Sequence, residues 1–180
     1  MSSAACDTRE WRALDLDGVL ALGERLGVHA RGGEVLLLFG AMGAGKTTMV
    51  RALARGLAIT RPDRVSSPTY NICVEHAGPH PLVHVDLCRL AELGDDDAVS
   101  ASDAAFEALG LGELAERMAR VDARELLVVE WAQLWPDPPA DALHGRITRA
   151  SDDPGLRSIV LTATGPRALA WLAALADEHR

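Results

Sequence analysis

The 180-residue sequence predicts an α/β fold: a single domain of three layers, with a mixed parallel and antiparallel sheet between helices. Three observations carry this reading. Apolar runs without interruption at Glu34–Phe39 and Leu126–Val129 have the character of strands buried on both faces. Stretches of helical spacing alternate with strand-like runs along the chain. The first apolar run also leads straight into Gly40-Ala41-Met42-Gly43-Ala44-Gly45-Lys46-Thr47, two glycines five apart followed by Lys and a hydroxyl residue. That is the full pattern of a phosphate-binding loop, and it makes the domain a P-loop NTPase.

In chain order, residues 9 to 16 read as a short strand. Asp17 to His29 reads as a helix, with Val19, Leu20, Leu22, Leu26 and Val28 at helical spacing and Asp17 as N-cap. Arg31-Gly32-Gly33 turns the chain into the strand that ends at Phe39. Past the glycines, Met49, Val50, Leu53 and Ala54 mark a helix from Thr47 to Arg55, with Gly56 where it would stop. Arg61 to Thr69 is a polar loop bearing a proline. Tyr70 to Glu75 and Leu82 to Leu87 read as strands, and the short link Ala77-Gly78-Pro79-His80-Pro81 makes them an antiparallel pair. Asp95 to Arg124 is mostly helix former, its apolar face Phe106, Leu109, Leu111 and Leu114, preceded by a solvated acidic turn at Asp95-Asp96-Asp97. After the Leu126 strand, Trp135-Pro136-Asp137-Pro138-Pro139 is a stiff loop. Gly145 to Ala150 and Ser158 to Thr164 alternate as strands about the turn Asp152-Asp153-Pro154-Gly155. Pro166 opens a last amphipathic helix to about His179, whose Leu169, Leu172 and Leu175 pack on the domain.

Lys46 is the only lysine, against 17 arginines, and it occupies the lysine position of the loop. A compact ammonium on a thin stem fits inside a loop wrapped round a triphosphate, where a planar guanidinium does not. Strand, glycine turn and helix N-terminus together aim backbone N–H groups and the positive dipole end at phosphate. Gly40 to Thr48 is therefore the nucleotide-binding segment, and the Thr47 hydroxyl is placed for Mg²⁺. Guanine recognition usually comes with an Asn-Lys-x-Asp motif, and with the one lysine already used, ATP is preferred over GTP.

Composition narrows the rest. A content of 48% hydrophobic and 24% charged residues is that of a globular domain with its own core. The net charge of -8 argues against a broad basic surface for nucleic acid, so any RNA contact is expected to pass through partners. No apolar run approaches the ~20 residues of a membrane span, and Met-Ser-Ser-Ala-Ala-Cys-Asp lacks a basic segment followed by an apolar one, so a cytoplasmic location without membrane contact is expected. Cys6, Cys73 and Cys88 are scattered and odd in number, which suits reduced thiols. The six histidines form no ligand spacing for a structural metal.

An NTPase also needs an acidic residue at the end of a neighbouring strand. Two positions qualify. In Leu82-Val83-His84-Val85-Asp86-Leu87 a period of two puts His84 and Asp86 on one face, opposite Val83, Val85 and Leu87. In Leu126-Leu127-Val128-Val129-Glu130-Trp131 a carboxylate follows four apolar residues, where open α/β sheets hold ligands. The residues alone thus point to a small Mg-dependent ATPase or kinase, with either carboxylate serving the metal.

Taken in order, four motifs resemble one family, TsaE, the ATPase of bacterial tRNA threonylcarbamoyladenosine biosynthesis, over nearly the whole chain. They are the loop Gly40 to Thr48, Ser67-Pro68-Thr69-Tyr70, His84-Val85-Asp86-Leu87-Cys88-Arg89-Leu90, and the pair Glu130-Trp131. The resemblance implies an accessory ATPase that binds the TsaD transferase with its TsaB partner and resets that complex by hydrolysis, meeting tRNA only indirectly. It implies that Ser67, Pro68 and Thr69 form a switch-like loop near the γ-phosphate, with Tyr70, His84, Arg89 and Trp131 as further switch or partner residues. Thr47 and Glu130 are then the direct Mg²⁺ ligands, Lys46 the phosphate cation, and Asp86 an outer-shell or water-orienting group.

The chain departs from the family pattern at three places: Ala41 for an acidic residue, Cys88 for the tyrosine of the His-x-Asp motif, and Ala132-Gln133 for the Pro-Glu after Glu-Trp. The Cys88 change removes a phenol from the site, and Asp95 to Ala105 is looser than the family pattern. Two other classes share the loop. A small-molecule kinase similar to shikimate kinase would carry a Gly-Gly-Gly substrate motif and a basic lid, and Arg117, Arg120 and Arg124 are spaced instead as one solvated helix face. A nucleotide-dependent scaffold would bind ATP with little turnover.

Overall fold

The structure, a computed structural model, describes residues 6–66, 72–93 and 110–175. Its elements in chain order are β1 (Cys6–Leu14), α1 (Leu16–His29), β2 (Val35–Phe39), α2 (Lys46–Gly56), β3 (Cys73–His76), β4 (Leu82–Asp86), α3 (Leu111–Ala119), β5 (Leu126–Glu130), β6 (Ala142–Arg149), β7 (Arg157–Thr164) and α4 (Pro166–Ala174), with short 3₁₀ turns at Pro62–Arg64, Cys88–Leu93 and Ala132–Leu134.

The seven strands form one sheet in the order β1-β7-β6-β2-β5-β4-β3. β6, β2, β5 and β4 run parallel at its centre. β3 is antiparallel to β4 at one side, and β7 and β1 are antiparallel on the other. The mixed sheet is thus as expected. Alternation along the central strands divides the core into two: Leu36, Leu38, Leu126 and Val128 face α1, α2 and α4, while Val35, Leu37, Leu127 and Val129 face α3. Strands wholly covered on both sides are why these runs lack polar residues.

Several element readings change in detail. The cap of α1 is Asp15, whose Oδ1 accepts from Gly18 N at 2.8 Å; Asp17 lies inside the first turn, where its charge favours the helix dipole. Gly56 is the last residue of α2 and does not stop it. Its role is close packing, since a Cβ there would collide with the Glu24 carbonyl of α1. On α3 the buried face is Leu111, Leu114 and Met118. The helix ends at Ala119, so Arg120 and Arg124 lie beyond it, and Arg117 pairs with Glu75 at 3.0 Å and with Glu125 at 3.5 Å. Phe106, Leu109 and the acidic run 95–97 lie outside the described residues, as do Ser67, Pro68, Thr69 and Tyr70 and the end of the last helix past residue 175. Among the described residues no helix is long and apolar enough to cross a membrane.

Candidate nucleotide site

The site forms where β2, β4 and β5 end. The parallel register sets Asp86 beside Glu130, and β2 delivers the chain into the loop next to them. Three loop glycines have positive φ: Gly40 at 153°, Gly43 at 69° and Gly45 at 113°. Gly45 is the N-cap of α2 and offers no side chain, so the amides of that turn are left to other acceptors.

Lys46 is 4% exposed. Its Nζ donates to the carbonyls of Gly40 at 2.8 Å and Ala41 at 3.1 Å, and sits 4.2 Å from the centre of the Trp131 ring. Burial holds its ammonium below the ordinary lysine pKa, and the nearby carboxylates of Glu130 and Asp86 oppose that shift. Trp131 reaches the lysine because its backbone is left-handed, at φ 58°, in the turn that follows β5. For a bulky residue this conformation is strained, and it brings an aromatic face over the one lysine of the chain.

Glu130 is 2% exposed and has both oxygens engaged. Its Oε2 accepts from Thr47 Oγ1 at 2.9 Å, and its Oε1 lies 2.9 Å from His84 Nε2. A carboxylate accepts, so His84 donates from Nε2, and its buried Nδ1 has no hydrogen-bond partner among the described residues. His84, read from sequence among the switch or partner residues, is fully buried behind Glu130. Asp86 is 5% exposed and accepts from Cys88 N at 2.9 Å through Oδ1. Arg89 is exposed in the turn that follows.

The depression between these groups holds about 290 Å³ and is lined by Met42, Gly43, Gly45 to Thr48, Asp86, Cys88, Glu130 and Trp131. The loop, both carboxylates, the hydroxyl and the cation named from sequence therefore converge on one cavity. Two carboxyl groups and a hydroxyl are hard oxygen donors of the kind Mg²⁺ takes together with phosphate. Cys88 lines the same cavity, so the tyrosine that it replaces would have stood there. Sequence reading missed two residues, Arg149 and Arg157, which hold the loop from outside. Their contacts cross more than a hundred residues and left no local signal.

Residues 14–158 match the sequence model of the family described as threonylcarbamoyl adenosine biosynthesis protein TsaE. The tRNA threonylcarbamoyladenosine biosynthesis protein TsaE of Bacillus subtilis is 35% identical over 160 residues, covering 88% of this chain and 87% of its own. That of Streptomyces coelicolor is 36% identical over 154 residues, covering 81% and 90%. The crystal structure of Bacillus subtilis YdiB superposes with a TM-score of 0.70 at 27% identity, covering 99% of this chain and 100% of that one. A fold, a phosphate loop with its two carboxylates, and matched relatives along most of their length agree: this chain belongs to the TsaE family of tRNA threonylcarbamoyladenosine biosynthesis.

Proposed function

We propose that this protein is a Mg-dependent ATPase that serves tRNA threonylcarbamoyladenosine modification as an accessory factor. It binds a complex of TsaB and TsaD, resets it through ATP hydrolysis, and meets tRNA only through that complex. One observation carries the catalytic part: Lys46, Thr47, Asp86 and Glu130 come from three separate elements and face one cavity.

Mg-ATP, once bound, supplies the γ-phosphoryl group to be transferred to water. The chain does the rest by position. Lys46 neutralises phosphate charge at the loop, and the amides at the N-terminus of α2 add donors along the helix dipole. The Thr47 hydroxyl donates its hydrogen bond to Glu130, which would leave its lone pairs for the metal. Glu130 is fixed in turn by His84 and serves as the second ligand. Asp86, held by the Cys88 amide, orients the attacking water and takes up its proton. The preference for ATP follows from the lone lysine, and the indirect route to tRNA from the net charge of -8. Work on cellular tRNA agrees with a cytoplasmic location.

The test is a reconstituted modification reaction with tRNA in excess, together with ATP hydrolysis measured with and without TsaB and TsaD. Hydrolysis should rise with the partners, and omitting the protein should leave about one round of product per assembly. Modification that cycles freely without it, or transfer of phosphate to a small metabolite, overturns the reading. ATP binding without turnover would leave only a scaffold.

A further inference from the structure

Two arginines of the β6–β7 hairpin grip the outside of the phosphate loop, and neither has a part in the chemistry above. Arg149 ends β6, Arg157 opens β7, and the two are register partners. Arg149 donates to the Gly43 carbonyl from Nη2 at 2.8 Å and from Nε at 3.2 Å. Arg157 donates from Nε to the Ala44 carbonyl at 2.8 Å. Its Nη1 is tied to the carbonyls of Pro154 at 2.5 Å and Leu156 at 3.0 Å in its own turn. The loop also lies hard against this hairpin: a Cβ on Gly40 would stand 2.5 Å from the Ile147 carbonyl, and one on Gly43 would run into the Arg149 guanidinium.

The geometry has a consequence for the inner side of the loop. In a trans peptide C=O and N–H point in opposite directions. With the Ala44 carbonyl turned to Arg157, the Gly45 N–H is turned away from the hairpin, and Gly45 lines the cavity. Gly43 and Gly45 are both left-handed, and a glycine has no side chain to hold such a conformation against the many others open to it. Something else must hold it. Two consecutive carbonyls fixed by cations lock two consecutive peptide planes, and a charged donor on a carbonyl polarises the peptide toward stronger N–H donation.

We propose that Arg149 and Arg157 are positioning residues of the ATP site: Arg149 locks the Gly43–Ala44 peptide, whose N–H closes the loop on the Ala41 carbonyl at 3.1 Å, and Arg157 sets the Ala44–Gly45 peptide for phosphate before it arrives. The proposal rests on the reading of the loop as an ATP site. It explains why these positions hold arginine: Arg149 gives two N–H groups to one oxygen, and Arg157 bridges the loop to its own turn. Both tasks use the rigid fork, which a lysine ammonium lacks.

The experiment compares Arg149→Gln, Arg157→Gln and the double variant with the matching lysine variants. It reads amide hydrogen exchange across residues 40–48 in the nucleotide-free protein, then ATP and ADP affinity by calorimetry. The double glutamine variant should exchange about tenfold faster in the loop and bind both nucleotides at least about tenfold more weakly. In turnover, KM should rise by a larger factor than kcat falls. The lysine variants should recover less than half of the lost affinity on a logarithmic scale. Unchanged loop exchange with native affinity overturns the proposal, and so does full rescue by lysine, which would leave only a general effect of charge. Should the double variant fail to fold, Arg149→Gln alone decides by the same readings, its side chain being at the exposed end of the pair. A wild-type protein that binds no ATP would overturn the ATP site itself, a result that the glutamine comparison cannot mimic.

Discussion

Thr47 Oγ1 and Glu130 Oε2 lie 2.9 Å apart, which joins the first turn of α2 to the end of β5 across 83 residues of sequence. The bond fixes a division of labour between the two carboxylates. Glu130 is tied to the Thr47 hydroxyl, which the proposed function gives to the metal, whereas Asp86 is tied to the backbone of the next turn. Asp86→Asn and Glu130→Gln should both fold and both lose at least about 100-fold in hydrolysis, the size seen when a preorganised charge is removed from a transition state. Glu130→Gln should show the larger loss of nucleotide affinity in the presence of Mg²⁺. Calorimetric titrations with and without the metal check this, and the opposite order would exchange the two roles. Glutamine is the better probe than alanine because it keeps an oxygen for the buried His84 N–H; Glu130→Ala would leave that donor orphaned and add about 1–3 kcal/mol of instability.

Lys46 should be costly to the empty fold. Burial lowers its pKa, so the charged form is less stable in the folded protein than in the unfolded chain. The sign follows: the penalty is present in full below the lowered folded pKa, and stability recovers as pH rises from that value towards the unfolded one near ~10.4. Lys46→Met should therefore abolish ATP binding while holding or raising the melting temperature at pH 7, by about 2–4 °C per kcal/mol relieved. Thermal melts settle it. A marked fall would mean that the bonds to Gly40 and Ala41 outweigh the burial. Lys46→Arg should not restore ATP binding, since a planar fork does not replace the compact ammonium that sits on the Gly40 and Ala41 carbonyls.

The parts of this site that stand in the sequence are those made by neighbours in the chain. An apolar strand, a glycine turn and a helix follow one another within 23 residues from Glu34 to Gly56, and the period of two in β4 assigns His84 and Asp86 to one face. What the sequence hides are contacts that close across it. Arg149 and Arg157 sit 106 and 113 residues from the carbonyls that they hold. The placement of Trp131 on Lys46 depends on a left-handed φ that its residue type disfavours. His84 reads equally as a surface or a buried residue until β3 and β5 flank its strand. Asp15 and Asp17 are equally good caps on paper, and only the backbone at the start of α1 decides between them.

Acid should weaken the fold through His144. Its ring stacks on Phe39, with centroids 5.8 Å apart, and burial lowers its pKa; His76 is lowered by burial too, and then by the nearby His84. A histidine whose folded pKa lies below the unfolded value of about 6.5 favours the folded state above that pH, and the advantage is lost as pH falls from 6.5 through the lowered value. Melting curves at pH 7.5 and pH 5.0 should show a smaller drop for His144→Gln than for the wild type. An equal drop in both would move the acid sensitivity elsewhere.

The glycines that join α1 to α2 should matter as much to nucleotide binding as to stability. A Cβ on Gly23 would stand 2.7 Å from the Met49 carbonyl and 2.8 Å from Ala52 Cβ, and one on Gly27 would collide with the Leu53 carbonyl. These are helix-to-helix contacts with backbone, which no rotamer change can relieve. Gly23 opposes residues 49 and 52 and Gly27 opposes 53 to 57, so the helices run in the same direction, and α1 braces the helix whose first turn lines the proposed nucleotide cavity. Gly27→Ala must then push α2 away from α1, at a cost of about 1–3 kcal/mol or more for forced overpacking, equivalent to a fall of at least about 2–4 °C in melting temperature. Because α2 carries Lys46 and Thr47 at its start, ATP affinity should fall as well, whereas Gly112→Ala, a helical position with open space at its Cβ, should leave affinity unchanged and hold or raise stability. Melting curves and ATP titrations of the two variants make the comparison, and a Gly27→Ala protein with native stability would show that the two helices are less closely locked than their contact implies.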